Sequence, residues 1–210
     1  MSSRMARRQE MERQERKDSI LAAARKVFFS KGYLNATIRD IALEASLSPG
    51  LIYHYFAGKD DVYGAICEEA FHLLITELSK PELIKATIRE SMAALARSYV
   101  SFYRNHSEYF DIISFRDLGF KKVDLSPEIR DRLNLLSLKA LEPIKLLVEQ
   151  GVTDGVIRPA DNSWEAALAL WAPIEGLLFI HKRGYLDNFS LDLDRLVDLE
   201  LAAILDGVTG

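Results

Sequence analysis

The sequence of 210 residues predicts an all-α protein. Three observations predict it. Apolar residues recur at three- and four-residue intervals over long segments, as in Ile20, Leu21, Ala24, Val27 and Phe28, or Ile88, Met92, Leu95, Tyr99 and Phe102. Helix-start and helix-stop residues bracket those segments. No apolar–polar alternation of strand length occurs, and no internal repeat or low-complexity run interrupts the pattern.

Composition bounds the problem. Apolar residues make up 49% and charged residues 28%, the balance of a folded globular chain. A chain of this length holds one or two domains. The single cysteine, Cys67, excludes an internal disulfide framework, and its helical setting predicts a buried structural thiol. No signal-peptide pattern opens the chain, and the longest apolar stretch, Ala166–Ile180, contains Glu175 and falls short of a membrane span. The expected location is the cytoplasm. The net charge of −4 divides unevenly. Residues 1–65 carry 11 Lys/Arg and 8 Asp/Glu, a surplus of +3, and the remainder carries −7. A basic end suits phosphate, and an acidic body limits non-specific association with nucleic acid.

The elements follow in order. Residues 1–15 are polar, without apolar period, and read as a basic arm bearing Arg4, Arg7, Arg8 and Arg13, suited to DNA backbone or minor groove or else a solvated tail. A first helix, 16–31, ends at Gly32. Thr37 with Asp40 is a capping box with Asp in place of Glu, and it opens a second helix with Ile41, Ala42 and Ala45 on its apolar face. Ser46 and Leu47 turn the chain. Ser48 caps a third helix with Pro49 in its first position, and Ile52, Tyr55 and Phe56 face inward. Two short helices joined by a tight turn match a helix-turn-helix, which places its second helix in the DNA major groove; they also fit a plain surface hairpin. Gly58, Asp60 and Asp61 start a fourth helix, 60–79, with Val62, Ile66, Ala70, Leu74 and Leu78 inward.

The run from Arg16 to about Glu68, with its ILAAARKVFFSKGYLNATIRDIA, LSPGLIYHYF and GKDDVY blocks, resembles the DNA-binding domain of TetR-family transcriptional repressors. Ser46 stands where that family usually has glycine, and Leu51 where it often has a polar residue. The resemblance implies an all-α chain of about nine helices: a helix-turn-helix domain over 16–76 with a three-helix DNA-binding core, then an effector-binding and dimerisation domain over 77–210. By position on the family pattern, Thr37, Arg39, Tyr53, His54 and Lys59 meet the DNA backbone, which fixes register. Ser48, Pro49, Gly50 and Leu51 lie nearest the bases. Gly50 permits close approach, and Leu51, which has no hydrogen-bonding group, is expected to meet a thymine methyl. No Arg, Asn or Gln lies on the third helix, so DNA shape carries part of the specificity.

Beyond Pro81 the expected helices are longer. Asn105 with Glu108 starts one, residues 116–126 around Gly119 form a loop, and Pro127 opens a helix that Gly151 stops. Gly155 and Pro159 punctuate a loop. Asn162 with Glu165 opens a helix over 163–182 that Gly184 ends, and Ser190 or Asp192 opens the last, to about Leu205. Residues 166–174 are apolar all round, so that helix needs cover on two sides. The resemblance supplies the cover, a homodimer through the Ser163–Lys182 and Asp192–Leu205 helices, with two recognition helices on a palindromic double-stranded operator. It also implies a small-molecule effector that releases DNA. Candidate pocket residues are Tyr99, Phe102, Tyr103, Phe110, Phe115, Trp171, Glu175 and Phe179. Pro173 loosens the helix between them, and Glu175 needs a partner: an arginine, the second subunit or a cationic ligand.

Two other functions compete. An architectural DNA binder would need no effector, and the acidic body argues against it. An enzyme would need a site that the motifs do not supply. No Gly-rich phosphate loop or Gly-x-Ser-x-Gly occurs, and His54, His72, His106 and His181 have no ligand spacing. No cofactor and no metal is expected.

Overall fold

The computed structural model describes residues 2–114, 125–158 and 161–208. The helices among them are α1 (Ser2–Asn35), α2 (Ile38–Glu44), α3 (Pro49–Tyr55), α4 (Lys59–Leu78), α5 (Ile88–Asn105), α6 (Ser107–Ser114), α7 (Pro127–Thr153), α8 (Ser163–Lys182), α9 (Tyr185–Asn188) and α10 (Leu193–Val208), with a 3-10 turn at Pro81–Leu83. The all-α class is as expected. The helix beyond the expected nine is the four-residue α9.

The chain forms two compact units. One gathers the described residues of Met1–Phe71 and Glu108–Leu135, and the other those of His72–Ser107 and Leu136–Gly210. Both α4 and α7 run through the two units. The first unit therefore holds α6 and the opening turns of α7 besides the helix-turn-helix. Its core is aliphatic: Ile20, Ala24, Ile41, Ile52, Val62 and Ile66 are fully buried. Each large side chain so buried contributes about 1.5–3 kcal/mol. Phe28 and Tyr63 meet edge to face at 5.4 Å, as do Phe29 and Tyr109 at 5.8 Å. The Tyr63 hydroxyl donates to the Ile112 carbonyl (3.4 Å), and Arg25 pairs with Glu69 (2.6 Å). In the second unit α8 packs on α10, α9 and α5. Arg89, Arg97 and Arg104 of α5 pair with Asp206, Asp198 and Asp194 of α10, a ladder that runs the two helices antiparallel.

Several boundaries differ from expectation. Residues 2–15, expected as an arm or a solvated tail, are helical and continuous with α1; the side chains of residues 5–15 are exposed, so this helix rests on propensity and i,i+4 pairs such as Arg8–Glu12. Gly32 does break that helix, at φ 72. Within α3 only Ile52 is fully buried, and Tyr55 and Phe56 are half-buried, because Phe56 already has extended backbone. Asn105 closes α5 instead of opening α6. Helix α7 passes through Gly151, whose carbonyl accepts the N–H groups of Val156 and Ile157, and stops before Gly155 at φ 70. Gly151 is required there by packing: a Cβ would lie 2.6 Å from Ile157 Cδ1. Asn162 caps α8 through the Trp164 N–H, Gly184 ends it at φ 74, and Asp192, not Ser190, caps α10 through the Arg195 N–H.

The stretch thought too short for a bilayer is also corrected. Helix α8 has 20 residues and a mean hydropathy of 1.3 over its apolar window, long and apolar enough to cross a membrane by those measures. The polar residues at its two ends extend it beyond the apolar core of the sequence. The expected loop residues Gly119 and Pro159, the pocket candidate Phe115, and the side chains of Arg4 and Leu205 lie outside the described residues.

Candidate nucleic-acid interface and effector cavity

Short-range hydrogen bonds fix α2. Thr37 Oγ1 accepts the Asp40 N–H, and Asp40 Oδ2 accepts the Thr37 N–H, the reciprocal box the spacing predicts. Lys31 of α1 reaches Asp40 Oδ1 at 2.6 Å and Lys26 reaches Glu44 at 2.9 Å, so α1 and α2 run antiparallel with paired ends. The turn to α3 carries Ser46 at φ 55. That is the left-handed region, where glycine is at ease and serine is strained. Ser48 Oγ accepts the Leu51 N–H at 3.3 Å, and Pro49 occupies the first turn of α3.

Most of the residues assigned to DNA are accessible in this unit. Thr37, Arg39, Ser48, Pro49, Gly50, Tyr53 and His54 are exposed, and Leu51 is half-buried. A Cβ on Gly50 would meet nothing nearer than Ser48 Oγ at 4.0 Å, so internal packing does not demand glycine there. His54 stacks edge-on against Tyr55. Lys59 is different. It begins α4, its ammonium donates to the Tyr33 carbonyl at 2.9 Å, and it sits 4.2 Å from the centre of the Tyr33 ring.

The pocket candidates separate. Tyr99 and Trp171 line an apolar cavity of about 50 Å³ in the second unit, with Leu78, Leu95, Ile144 and Ile174. Glu175 has a partner, the Tyr99 hydroxyl, which none of the expected partners anticipated. Tyr103 hydrogen-bonds His181 Nδ1 at 2.6 Å. Phe102 is fully buried core, and Phe179 lies under the Arg183 guanidinium at 4.3 Å. Phe110 is fully buried in the first unit. A wider cleft of about 640 Å³ shares Leu78 and Leu95 with the cavity and opens between residues 79–88 and α7, where Pro143, Leu146 and Gln150 form its wall. Lys80, Lys85 and Asp154 are among its lining residues, and Lys80 pairs with Glu77. The aliphatic cavity walls carry no sequence signal that separates them from ordinary core. The Thr87–Glu90 capping box that opens α5 beside the cleft was legible and overlooked.

Among the described residues no group of His, Cys, Asp and Glu is placed to hold a metal ion. Cys67 is buried and forms no disulfide.

Known proteins resemble this chain in both its helix-turn-helix and its fold. Residues 20–66 match the family model described as bacterial regulatory proteins, tetR family. The regulator HbdR of Aromatoleum sp. (strain CIB) is 51% identical over 49 residues, 23% of this chain and 21% of that protein. The repressor NicS of Pseudomonas putida is 25% identical over 142 residues, 68% of this chain and 66% of NicS. The chain thus spans about a fifth of the first relative and just under two thirds of the second. The solved structure of the transcriptional regulator FadR from Bacillus subtilis, in complex with stearoyl-CoA, has the same fold, with a TM-score of 0.71 and 21% identity over 90% of this chain and 98% of that one. Residues 20–66 thus carry the N-terminal helix-turn-helix of the tetR family of bacterial regulatory proteins, and the chain as a whole shares the fold of the FadR structure.

Proposed function

We propose that this chain is a cytoplasmic repressor that grips a palindromic operator as a homodimer and is released by a small apolar molecule. The observation that carries the reading is the pairing of a helix-turn-helix in one unit with an apolar cavity in the other. An architectural binder would have no use for that cavity.

On this reading Thr37, Arg39, Tyr53 and His54 meet phosphates, and Ser48, Pro49, Gly50 and Leu51 lie against base edges. Leu51 reads a thymine methyl; replacing that thymine with uracil weakens binding, and an unchanged affinity would sink the assignment. The dimer buries the outer stripe of α8, where Leu168, Ala169, Ala172, Gly176 and Ile180 are accessible in the single chain. Leu199, Ala202 and Ala203 of α10 supply the adjoining surface. A helix this apolar on its outer side needs cover, and a second copy covers it without a membrane.

The cavity favours an effector with a hydrocarbon portion, and Lys85 on the neighbouring cleft favours an anionic head. The stearoyl-CoA held by the FadR structure has that chemistry. Cavity volume near 50 Å³ means that the walls part on binding. Helix α4 belongs to both units, as α7 does, and follows α3 directly in the chain, so it is the element through which such a change would reach the DNA-reading helices, with coupling of about 1–3 kcal/mol.

The test is affinity selection of genomic DNA fragments at near-physiological salt, followed by sequencing, then addition of stearoyl-CoA to the selected complex. An enriched palindrome released by the acyl thioester supports the whole reading. A palindrome indifferent to it keeps the operator and removes this effector class. Sequence-blind binding overturns the repressor assignment.

A further inference from the structure

Two voids in the second unit share a wall. The cavity beside Tyr99 and Trp171 holds about 50 Å³, and the cleft between residues 79–88 and α7 about 640 Å³. Small-molecule sites run to roughly 300–1,000 Å³, so the cleft has the capacity of one and the cavity alone does not. Two buried side chains, Leu78 at the end of α4 and Leu95 on α5, line both. A side chain that borders two spaces divides them. Apolar surface continues on either side of this division: exposed Ile84 and Leu146 line the cleft, and Ile144 and Ile174 line the cavity. Along α5 the track runs from Ile88 in the cleft to Tyr99 in the cavity, about 16 Å by helical rise.

The walls are weakest beside the division. Pro143 lies inside α7 and borders the cleft, next to Ile144, which borders the cavity. Pro173 lies inside α8, between Trp171 and Ile174 of the cavity wall. Each proline removes one backbone hydrogen bond and crowds the carbonyl four residues back, so both helices yield most easily where a ligand has to part them. The Tyr99 end is firmer, because the Tyr99 hydroxyl donates to the Glu175 carboxylate and joins α5 to α8. In the cleft, the Lys85 N–H donates to Ser91 Oγ at 2.8 Å, which fixes the chain that carries the Lys85 ammonium. Asp154 also lines the cleft and takes the Gln150 amide N–H at 2.8 Å.

We propose that cleft and cavity are two compartments of one effector site, and that Leu78 and Leu95 are its specificity-determining residues. The ligand is an unbranched amphiphile whose head stays in the cleft and whose tail moves the two leucines aside to end against Tyr99 and Trp171. This rests on the effector reading above and deepens it. A short tail is accommodated by the cleft alone. A long tail reaches the apolar cavity only past Leu78 and Leu95, so these two side chains set the chain length that binds best.

Trp171 makes the test direct. In a Trp164→Phe protein it is the one tryptophan left, and bromine on a ligand tail quenches its fluorescence on contact. The probes are stearoyl-CoA and octanoyl-CoA, each brominated at the chain end. The stearoyl probe is expected to quench Trp171, and the octanoyl probe to bind without quenching. Leu95→Phe, which thickens the division, abolishes the quenching and weakens the stearoyl probe roughly tenfold, while octanoyl affinity keeps its parent value. Leu95→Met, which conserves volume, preserves the quenching. Stearoyl binding without quenching in the parent protein would leave the tail outside the cavity and overturn the inference. An equal loss of both probes in Leu95→Phe would overturn the role given to Leu95. Should Leu95→Phe fail to fold, Leu78→Phe is read in the same way, and quenching in the parent protein decides by itself. If neither acyl-CoA binds, the effector class fails and this inference with it. If the tail quenches Trp171 and the operator is not released, the site stands and the regulatory reading fails.

Discussion

Thr37 and Asp40 hold each other across one helical turn. The Asp40 N–H donates to Thr37 Oγ1 (3.2 Å), while Asp40 Oδ2 takes both the Thr37 N–H (2.9 Å) and its hydroxyl (2.7 Å). The Lys31 ammonium completes the set on Oδ1. Two elements, the end of α1 and the start of α2, are thereby fastened at a single carboxylate.

That carboxylate gives the first prediction. The Lys31 bond first, and the Thr37 hydroxyl next, hold the Asp40 carboxyl down at about 2, below its ordinary 3.8. A lowered value means that the ionised form is favoured by folding. The contribution is complete above 3.8 and is lost as the pH falls through about 2. Acidification over that window is expected to fray the first turn of α2, seen as faster exchange of the Asp40 amide. Asp40→Asn removes this pH dependence; a variant that still shows it would place the effect elsewhere.

Ser46 gives the second. At φ 55 it occupies a conformation that costs an L-residue about 1–2 kcal/mol. Glycine relieves the strain but adds about 0.4–1 kcal/mol of unfolded-chain freedom. Ser46→Gly is therefore expected to stabilise the protein by roughly 0.5–1 kcal/mol, read as a higher urea midpoint with an unchanged slope. A lower midpoint would show that the Ser46 side chain contributes more than its backbone costs.

Gly64 points the other way. In an exposed helix, alanine would gain about 1 kcal/mol over glycine. Here a Cβ would fall 2.5 Å from Ile129 Cγ2, with Leu125 Cδ2 at 3.4 Å. Overpacking of this kind costs about 1–3 kcal/mol. Gly64→Ala should lower the thermal midpoint, and adding Ile129→Ala should cost less in that background than in wild type. Strict additivity in the double-mutant cycle would show that the two sites do not meet.

These sites mark what the chain disclosed before folding and what it withheld. Local chemistry was legible: Thr37–Asp40, Ser48–Pro49, Gly32 and Gly184 each act over one turn, and their effect depends on immediate neighbours. Gly151 misled because its reason is a contact with Ile157, not a backbone need. The Tyr99–Glu175 bond joins residues 76 apart, and no periodicity foretells such a pairing. Aromatic residues were natural pocket candidates, yet Phe102 and Phe110 are core and the cavity wall is mainly aliphatic. Apolar side chains that fill space and those that border it have the same sequence signature. The place of α6 with the helix-turn-helix unit was equally hidden, since it rests on contacts such as Tyr63 with Ile112.

Gly176 separates two accounts of the outer face of α8. A Cβ built there meets nothing within 4 Å in the single chain. If that face were bathed in water, Gly176→Ala would gain up to about 1 kcal/mol and larger residues would be harmless. If a second α8 lies against it, the small residues Ala169, Ala172 and Gly176 let the helices approach closely, and interaxial distance depends on the side chains at the contact. Leu168, 45% exposed, and Leu199, 57% exposed, would then be buried between copies. Gly176→Leu is expected to shift the protein from dimer to monomer in sedimentation velocity at micromolar concentration. Leu43→Gln, on exposed α2 far along the chain, should leave the dimer intact. Operator affinity falls with the dimer, because each half-site alone is held by one seven-residue recognition helix. A Gly176→Leu protein that remains dimeric would move the interface off α8.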